Sequence, residues 1–233
     1  MQYLGSKNKI SKEIAPIIQK CINDNGVDFY LEPFIGGANM IDKIKCKHRI
    51  GCDIHKELIA LLEYASAGNQ LPQTITEQEY IRVKDNKERF YPWRVGLVGF
   101  CATFGAKYFG GYARGNDTRD RTNEAIRNLS KQIPNLKNVT FLNKSYLDLK
   151  RENIKNFVIY CDPPYANTTE YKHGDFDSNK FWDWVRDISK DNFVFISEYN
   201  APDDFECIWS KEVTTSLKVK EHENRTEKLF IIR

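Results

Sequence analysis

A chain of 233 residues with 41% apolar and 13% aromatic residues can build one large domain, or one domain with an insertion, and is too apolar to be disordered. Its net charge of +3 points to no partner, so any such argument must come from how charge is distributed. With no apolar leader segment and no run of bilayer-spanning length in the sequence, a soluble, cytoplasmic protein is expected.

In chain order, SKEIAPIIQKCI (11–22) has helical periodicity, and Pro16 is expected to kink or split that helix. VDFYLEPF (27–34) reads as a strand ending at a proline. GGANMIDKIK follows, with two glycines expected to open a short helix. HRIGCDI (48–54) is a second strand, and KELIALLEYASAG (56–68) is an amphipathic helix with a glycine stop. This alternation is the opening of a parallel sheet wound with helices.

From about Asn69 to Pro134 the rhythm breaks, with glycines, aromatics and charges mixed. It returns with strands VTFLN (139–143) and NFVIYCD (156–162), a capped helix SNKFWDWVRDISK (178–190) and a strand NFVFISEY (192–199). ECIWSKEV and EKLFIIR then read as two antiparallel strands closing the sheet. The expected organisation is one α/β domain (1–68 and 135–233) interrupted by an insert (69–134).

The six cysteines are scattered and read as free thiols. Cys46, His48, Cys52 and His55 fall close together, but their spacing does not match zinc pairs, so they read as a strand with its flanks and no metal is expected.

Two motifs carry chemistry. In EPFIGGAN (32–39) a strand runs into a glycine turn, which lets a ligand approach the backbone closely. The next strand ends at Asp53, sixteen residues past Gly37, where an acid in nucleotide-binding α/β folds accepts hydrogen bonds from ribose hydroxyls. The G-x-G-x-x-G fingerprint is absent, which argues against a pyrophosphate cradle and an NAD-type oxidoreductase. Alone, the glycine pair reads as a structural turn.

The second motif is YCDPPY (160–165). Two prolines remove two amide donors and fix two φ angles, so the strand must end in a rigid corner. The corner offers two acceptors, the Asp162 carboxylate and the Pro163 carbonyl, and one ring, Tyr165. Converging acceptors can orient an exocyclic –NH2 so that its lone pair faces an electrophile, and the ring can stack on a flipped base. A proline strand terminator with an incidental acid is the plain alternative.

Together, EPFIGGAN and YCDPPY resemble the Dam-like (α-group, D12 class) S-adenosylmethionine-dependent DNA N6-adenine methyltransferases. QYLGSKNKI, CDIHKELI, VTFLNKSYLDL, FVFISEYNAP and RTEKLFIIR resemble the family's flanking segments, and the match covers most of the chain outside the insert. The resemblance implies an α/β fold: a Rossmann-like methyltransferase sheet with a C-terminal antiparallel hairpin, interrupted by a mostly helical or loop target-recognition insert. It implies S-adenosyl-L-methionine as cofactor and double-stranded DNA as substrate, with a cognate restriction endonuclease as partner or none.

Carried over by position, Tyr3 and Lys7 would edge the cofactor. Glu32, Phe34, Gly36 and Gly37 would form its loop, and Asp53 with Ile54 would take its ribose end. Asp162, Pro163, Pro164 and Tyr165 would hold the adenine, with Asp162 also near the cofactor. There are two departures. The loop reads FIGGA rather than F-x-G-x-G, and Ser145-Tyr146 stands where relatives have an acid followed by an aromatic. A serine hydroxyl can still accept a hydrogen bond but lacks the charge.

Over residues 80–127, ten cations against five acids leave +5, more than the whole chain carries. Basic residues interleaved with Tyr and Gly suit phosphate and groove contacts; a solvated, salt-paired surface is the plain alternative. Arg94, Lys107, Tyr112, Arg114, Arg119 and Arg121 are the residues expected to meet DNA. Tyr171, in the polar segment after the corner, is a candidate to close over the base. No cysteine follows a proline, so the covalent route of a cytosine-C5 enzyme is not expected, and alternation turns Cys161 away from the corner. N4-cytosine, RNA or protein-glutamine methylation, and a degenerate DNA-binding module, stay open. The recognition sequence is not legible.

Overall fold

The computed structural model describes residues 1–116, 118–164, 176–215 and 223–232. Helix α1 (Ser11–Asn25) leads into β1 (Phe29–Glu32), β2 (His48–Asp53) and α2 (Lys56–Ser66). Three helices follow: α3 (Glu77–Asp85), α4 (Pro92–Cys101) and α5 (Arg121–Leu136). Then come β3 (Val139–Asn143), β4 (Phe157–Cys161), α6 (Ser178–Ile188), β5 (Phe193–Glu198), β6 (Phe205–Thr215) and β7 (Glu223–Ile232).

The strands form one sheet in the order β3-β2-β1-β4-β5-β7-β6. The first five are parallel, and β7 runs antiparallel to both β5 and β6. Strand order reverses between β1 and β4, and at such a switch point the loops leaving the two strands part and open a crevice. Period-2 alternation divides the core. On β4, Val158 and Tyr160 pack with α1 to α5, whereas Ile159 and Cys161 pack with α6. Phe181 of α6 is 1% exposed, and burying such a ring contributes roughly 1.5–3 kcal/mol.

Helices α3 to α5 share this core. Leu97 and Val98 of α4, and Ile126 and Leu129 of α5, belong to the same buried cluster as Ile14, Tyr30 and Leu58. Helix α5 runs through residue 134 to Leu136.

Two local expectations are corrected. Pro16 does not split α1, which is continuous across it. The proline and Lys12, whose carbonyl loses its partner, both face solvent, so water can satisfy that carbonyl. Nor do the glycines open an α-helix. Gly36 and Ala38 have φ of 47° and 56°, and only a short 3-10 turn (Ile41–Lys43) follows. Left-handed residues cannot continue a right-handed helix.

Candidate active site

Both motifs lie at the switch point. The EPFIGGAN turn leaves the end of β1, and the Asp162-Pro163-Pro164 corner leaves the end of its neighbour β4. Between them lies a cavity of about 640 Å³, within the ~300–1,000 Å³ usual for small-molecule sites.

On the β1 side, Gly36 and Gly37 pass close beneath Tyr3. A Cβ on Gly37 would stand 2.6 Å from Asn39 Nδ2 and 2.7 Å from Tyr3 Cβ, so this wall is built for bare backbone. The loop is held from outside: Gln132 of α5 donates through Nε2 to the carbonyls of Gly37 (3.2 Å) and Ala38 (2.7 Å). Phe34 packs on Tyr146, ring centroids 5.3 Å apart, and on Phe181. Glu32 is buried and its Oε1 accepts from the Tyr30 hydroxyl at 2.7 Å. Burial pushes the Glu32 carboxyl well above its ordinary value, and the Tyr30 hydrogen bond only partly opposes this.

At the end of β2, Asp53 accepts from the amides of Gly36 (3.1 Å) and His55 (2.9 Å). Burial raises its pKa, and these amides counter that rise. The acid therefore ties the glycine turn to β2. Ile54, 64% exposed, and Leu147, 53% exposed, both line the cavity and leave apolar surface for a planar group. Ser145 also lines it, and its hydroxyl oxygen accepts from the Leu147 amide while Asp148 accepts from the Ser145 amide. The serine thus caps the turn that presents Tyr146.

On the β4 side, Asp162 and the two prolines face the cavity, whereas Cys161 lies in the α6-side core. Lys7 Nζ stands 3.2 Å from Asp162 Oδ1 and 3.5 Å from Glu227 Oε2. Every described residue expected at the cofactor or the corner therefore lines one cavity. Tyr165 and Tyr171 lie outside the described residues. Sequence reading missed Gln132, Asn39, Arg225 and Glu227. Asn39 stood inside EPFIGGAN, and Arg225 and Glu227 inside RTEKLFIIR, without being singled out, and nothing local signalled Gln132.

The six residues expected at DNA stand apart from the cavity lining. Arg94 is paired with Glu79 and only 22% exposed. Tyr112 donates to the Ile75 carbonyl at 2.7 Å. Arg114 forks onto Glu77, and Arg119 onto Glu124 at 2.8–2.9 Å. Lys107 and Arg121 are exposed, and the Arg121 guanidinium lies 6.0 Å from the ring of Phe104, which is itself 64% exposed. The Cys46–His55 group does not converge: Cys46 faces the Val27 carbonyl, His48 stacks on Phe29, and Cys52 is in the core. Among the described residues no cluster is placed to hold a metal.

A parallel sheet closed by an antiparallel hairpin, with a glycine turn, an acid and an Asp-Pro-Pro corner around a switch-point cavity, is the architecture of the Rossmann-like methyltransferase fold. The chain belongs to the D12 class N6 adenine-specific DNA methyltransferases, matching that family over residues 3–127 and 97–194. It is 26% identical over 212 residues to the modification methylase StsI of Streptococcus sanguinis, covering 79% of this chain and 31% of that protein. To the type II methyltransferase M.FokI of Planomicrobium okeanokoites it is 24% identical over 216 residues, covering 80% and 31%. The chain thus spans about a third of the length of these curated relatives. TrmN from Thermus thermophilus aligns over 94% of this chain and 48% of its own, at 12% identity and a TM-score of 0.38; the fold reading rests on the sheet order itself.

Proposed function

We propose that this chain transfers a methyl group from S-adenosyl-L-methionine to N6 of a flipped-out adenine in double-stranded DNA, at a specific sequence. The observation that carries this reading is the convergence of the β1 turn and the β4 corner on one cavity. Family membership favours adenine and DNA.

The cavity fits the cofactor chemically. Bare glycine backbone, a partly buried acid at the end of β2, and apolar Ile54, Leu147 and Phe34 suit a nucleoside. Tyr3, Lys7, Glu32, Phe34, Gly36, Gly37, Asp53, Ile54, Ser145, Tyr146 and Asp162 are the residues proposed to hold it. When bound, the cofactor supplies a methyl group already activated by its sulfonium, so the protein need only align and solvate. Asp162 and the Pro163 carbonyl accept the two amino hydrogens of adenine and aim its lone pair. Lys7 fixes the Asp162 carboxylate from behind. Pro163 and Pro164 keep the corner rigid, and Tyr165 stacks on the base.

Residues 69–134 are proposed as the DNA-facing region within the catalytic frame of 1–68 and 135–233. Lys107 and Arg121 offer open charge, with Phe104 beside Arg121 able to press against bases. Arg114 and Arg119 would exchange their acids for phosphates, and Arg94 and Tyr112 would support the loop. A cognate restriction endonuclease is a further proposed partner, on the likeness to a modification methylase.

The test is single-molecule sequencing of DNA from cells that lack adenine methylation and express this chain, beside an Asp162→Ala control. N6-methyladenine at one motif, reduced at least ~10²-fold in the control, is the expected result. N4-methylcytosine would keep the geometry and change the base. Unmodified DNA from cells holding soluble, folded protein would overturn the reading.

A further inference from the structure

Glu32 ends β1 on the wall of the cavity. It lines that space, yet it is only 2% exposed. Among the described residues its carboxyl makes one hydrogen bond, accepted by Oε1 from the Tyr30 hydroxyl at 2.7 Å. A carboxylate this deep needs a cation or several donors to stay ionised. One neutral hydroxyl is too little, and Tyr30 is itself fully buried.

The charges around Glu32 are engaged elsewhere. On the turn after the glycine loop, Lys43 Nζ donates to Asp42 Oδ1 and to the Asn39 carbonyl, each at 2.7 Å. Arg49 of β2 gives its guanidinium to the carbonyls of Ile41, Asn135 and Lys137. Lys7, from the N-terminal segment, pairs with Asp162 and Glu227. On β4, Tyr160 shares a hydrogen bond with Ser197 at 2.8 Å, and Cys161 is sealed in the α6-side core. Of the outer cations, Lys9 and Lys180 line the cavity at exposed positions, Arg225 lies over Tyr199, and Lys211 pairs with Glu13. Burial therefore pushes Glu32 towards its neutral form. Asp42 and Asp162 add to that push, while Tyr30 and Lys43 oppose it only in part.

On the methyltransferase reading above, the ligand of this cavity carries two cationic groups, a sulfonium and an α-ammonium. We infer that Glu32 is a proton-linked cofactor contact, a neutral acid in the empty protein that ionises when the cationic end of S-adenosylmethionine enters. Its O–H bond breaks, the proton passes to water or buffer, and the carboxylate left behind faces the entering cation. The empty cavity thus carries no uncompensated buried charge at Glu32, and the counter-charge exists only while a ligand is there to use it. The inference rests on that reading and adds the proton chemistry of loading.

The experiment is calorimetric titration of the full chain with S-adenosylmethionine near neutral pH, in buffers of different ionisation enthalpy, for wild type and Glu32→Gln. The dependence of the heat on the buffer counts the protons released. The expected result is about one proton more released per bound cofactor by wild type than by the variant. Because binding releases a proton, higher pH favours it, so the wild-type Kd should fall by up to about tenfold per pH unit. Glutamine cannot ionise, so Glu32→Gln should lack that slope. Difference infrared spectroscopy of the wild type serves also if the variant fails to fold, and a protonated-carboxyl band should be lost on binding. Equal proton release by the two proteins, or a protonated-carboxyl band unchanged by ligand, would overturn the inference and leave the methyltransferase reading standing. Wild-type protein that binds no S-adenosylmethionine would bring down both.

Discussion

At the residue scale, neighbours in sequence do unrelated work. Asp162 faces the cavity while Cys161 is sealed against α6. Cys161→Ser should therefore keep methyl transfer within about twofold while losing ~1–3 kcal/mol of stability from a buried hydroxyl. Parallel activity and denaturation assays of the variant check this, and collapse of turnover in folded protein would contradict it. Glu32 gives a pH test. Its folded pKa lies well above the ordinary 4.5, so the folded state keeps a proton that the unfolded state releases as pH rises past 4.5. Stability is lost over that rise, and Glu32→Gln should abolish the loss. Thermal unfolding at pH 5 and pH 8 should show the variant gaining on wild type at the higher pH. The Asp-Pro-Pro corner was legible because prolines act locally. Glu227 was not, because a carboxylate on a closing strand looks like any solvated charge until the fold sets a lysine from the other end of the chain against it.

At the scale of elements, the glycine turn shows what periodicity hides. Its place after β1 was readable from the proline and glycines. Its form was not, because the φ values are imposed by Asp53 from β2 and Gln132 from α5. Ala38 occupies the last position of FIGGA with φ 56°, a conformation that costs a Cβ-bearing residue about 1 kcal/mol. Ala38→Gly should thus be neutral to stabilising, by up to about 1 kcal/mol after the entropy glycine gains when unfolded. Urea unfolding measures it, and a clear loss would show that the methyl group's packing outweighs the strain. The strands were read within a few residues because alternation and β-branched content are local properties. That α1 runs unbroken through Pro16 was not legible, because local chemistry does not reveal which face of α1 meets water.

At the scale of the whole molecule, charge is the quantity that sequence conveys least well. The insert's excess of cations was countable, but three of its arginines are held by Glu77, Glu79 and Glu124. Arg121→Ala should reduce the salt slope of DNA binding by about 1. Arg94→Ala should leave that slope unchanged and cost about 1–3 kcal/mol of stability through the partner left behind. Binding isotherms at several salt concentrations, beside denaturation curves, separate the two. Strand β7 carries a different consequence. It lies between β5 and β6, so β6 joins the sheet only through it. A ribosome therefore delivers both recognisable motifs long before it delivers the strand that completes their cavity. A prematurely stopped chain ending after β5 would still look like an enzyme to anyone reading its gene. As a molecule it would expose a bare sheet edge, prone to pair with its neighbours, and would lack the wall against which Lys7 is set.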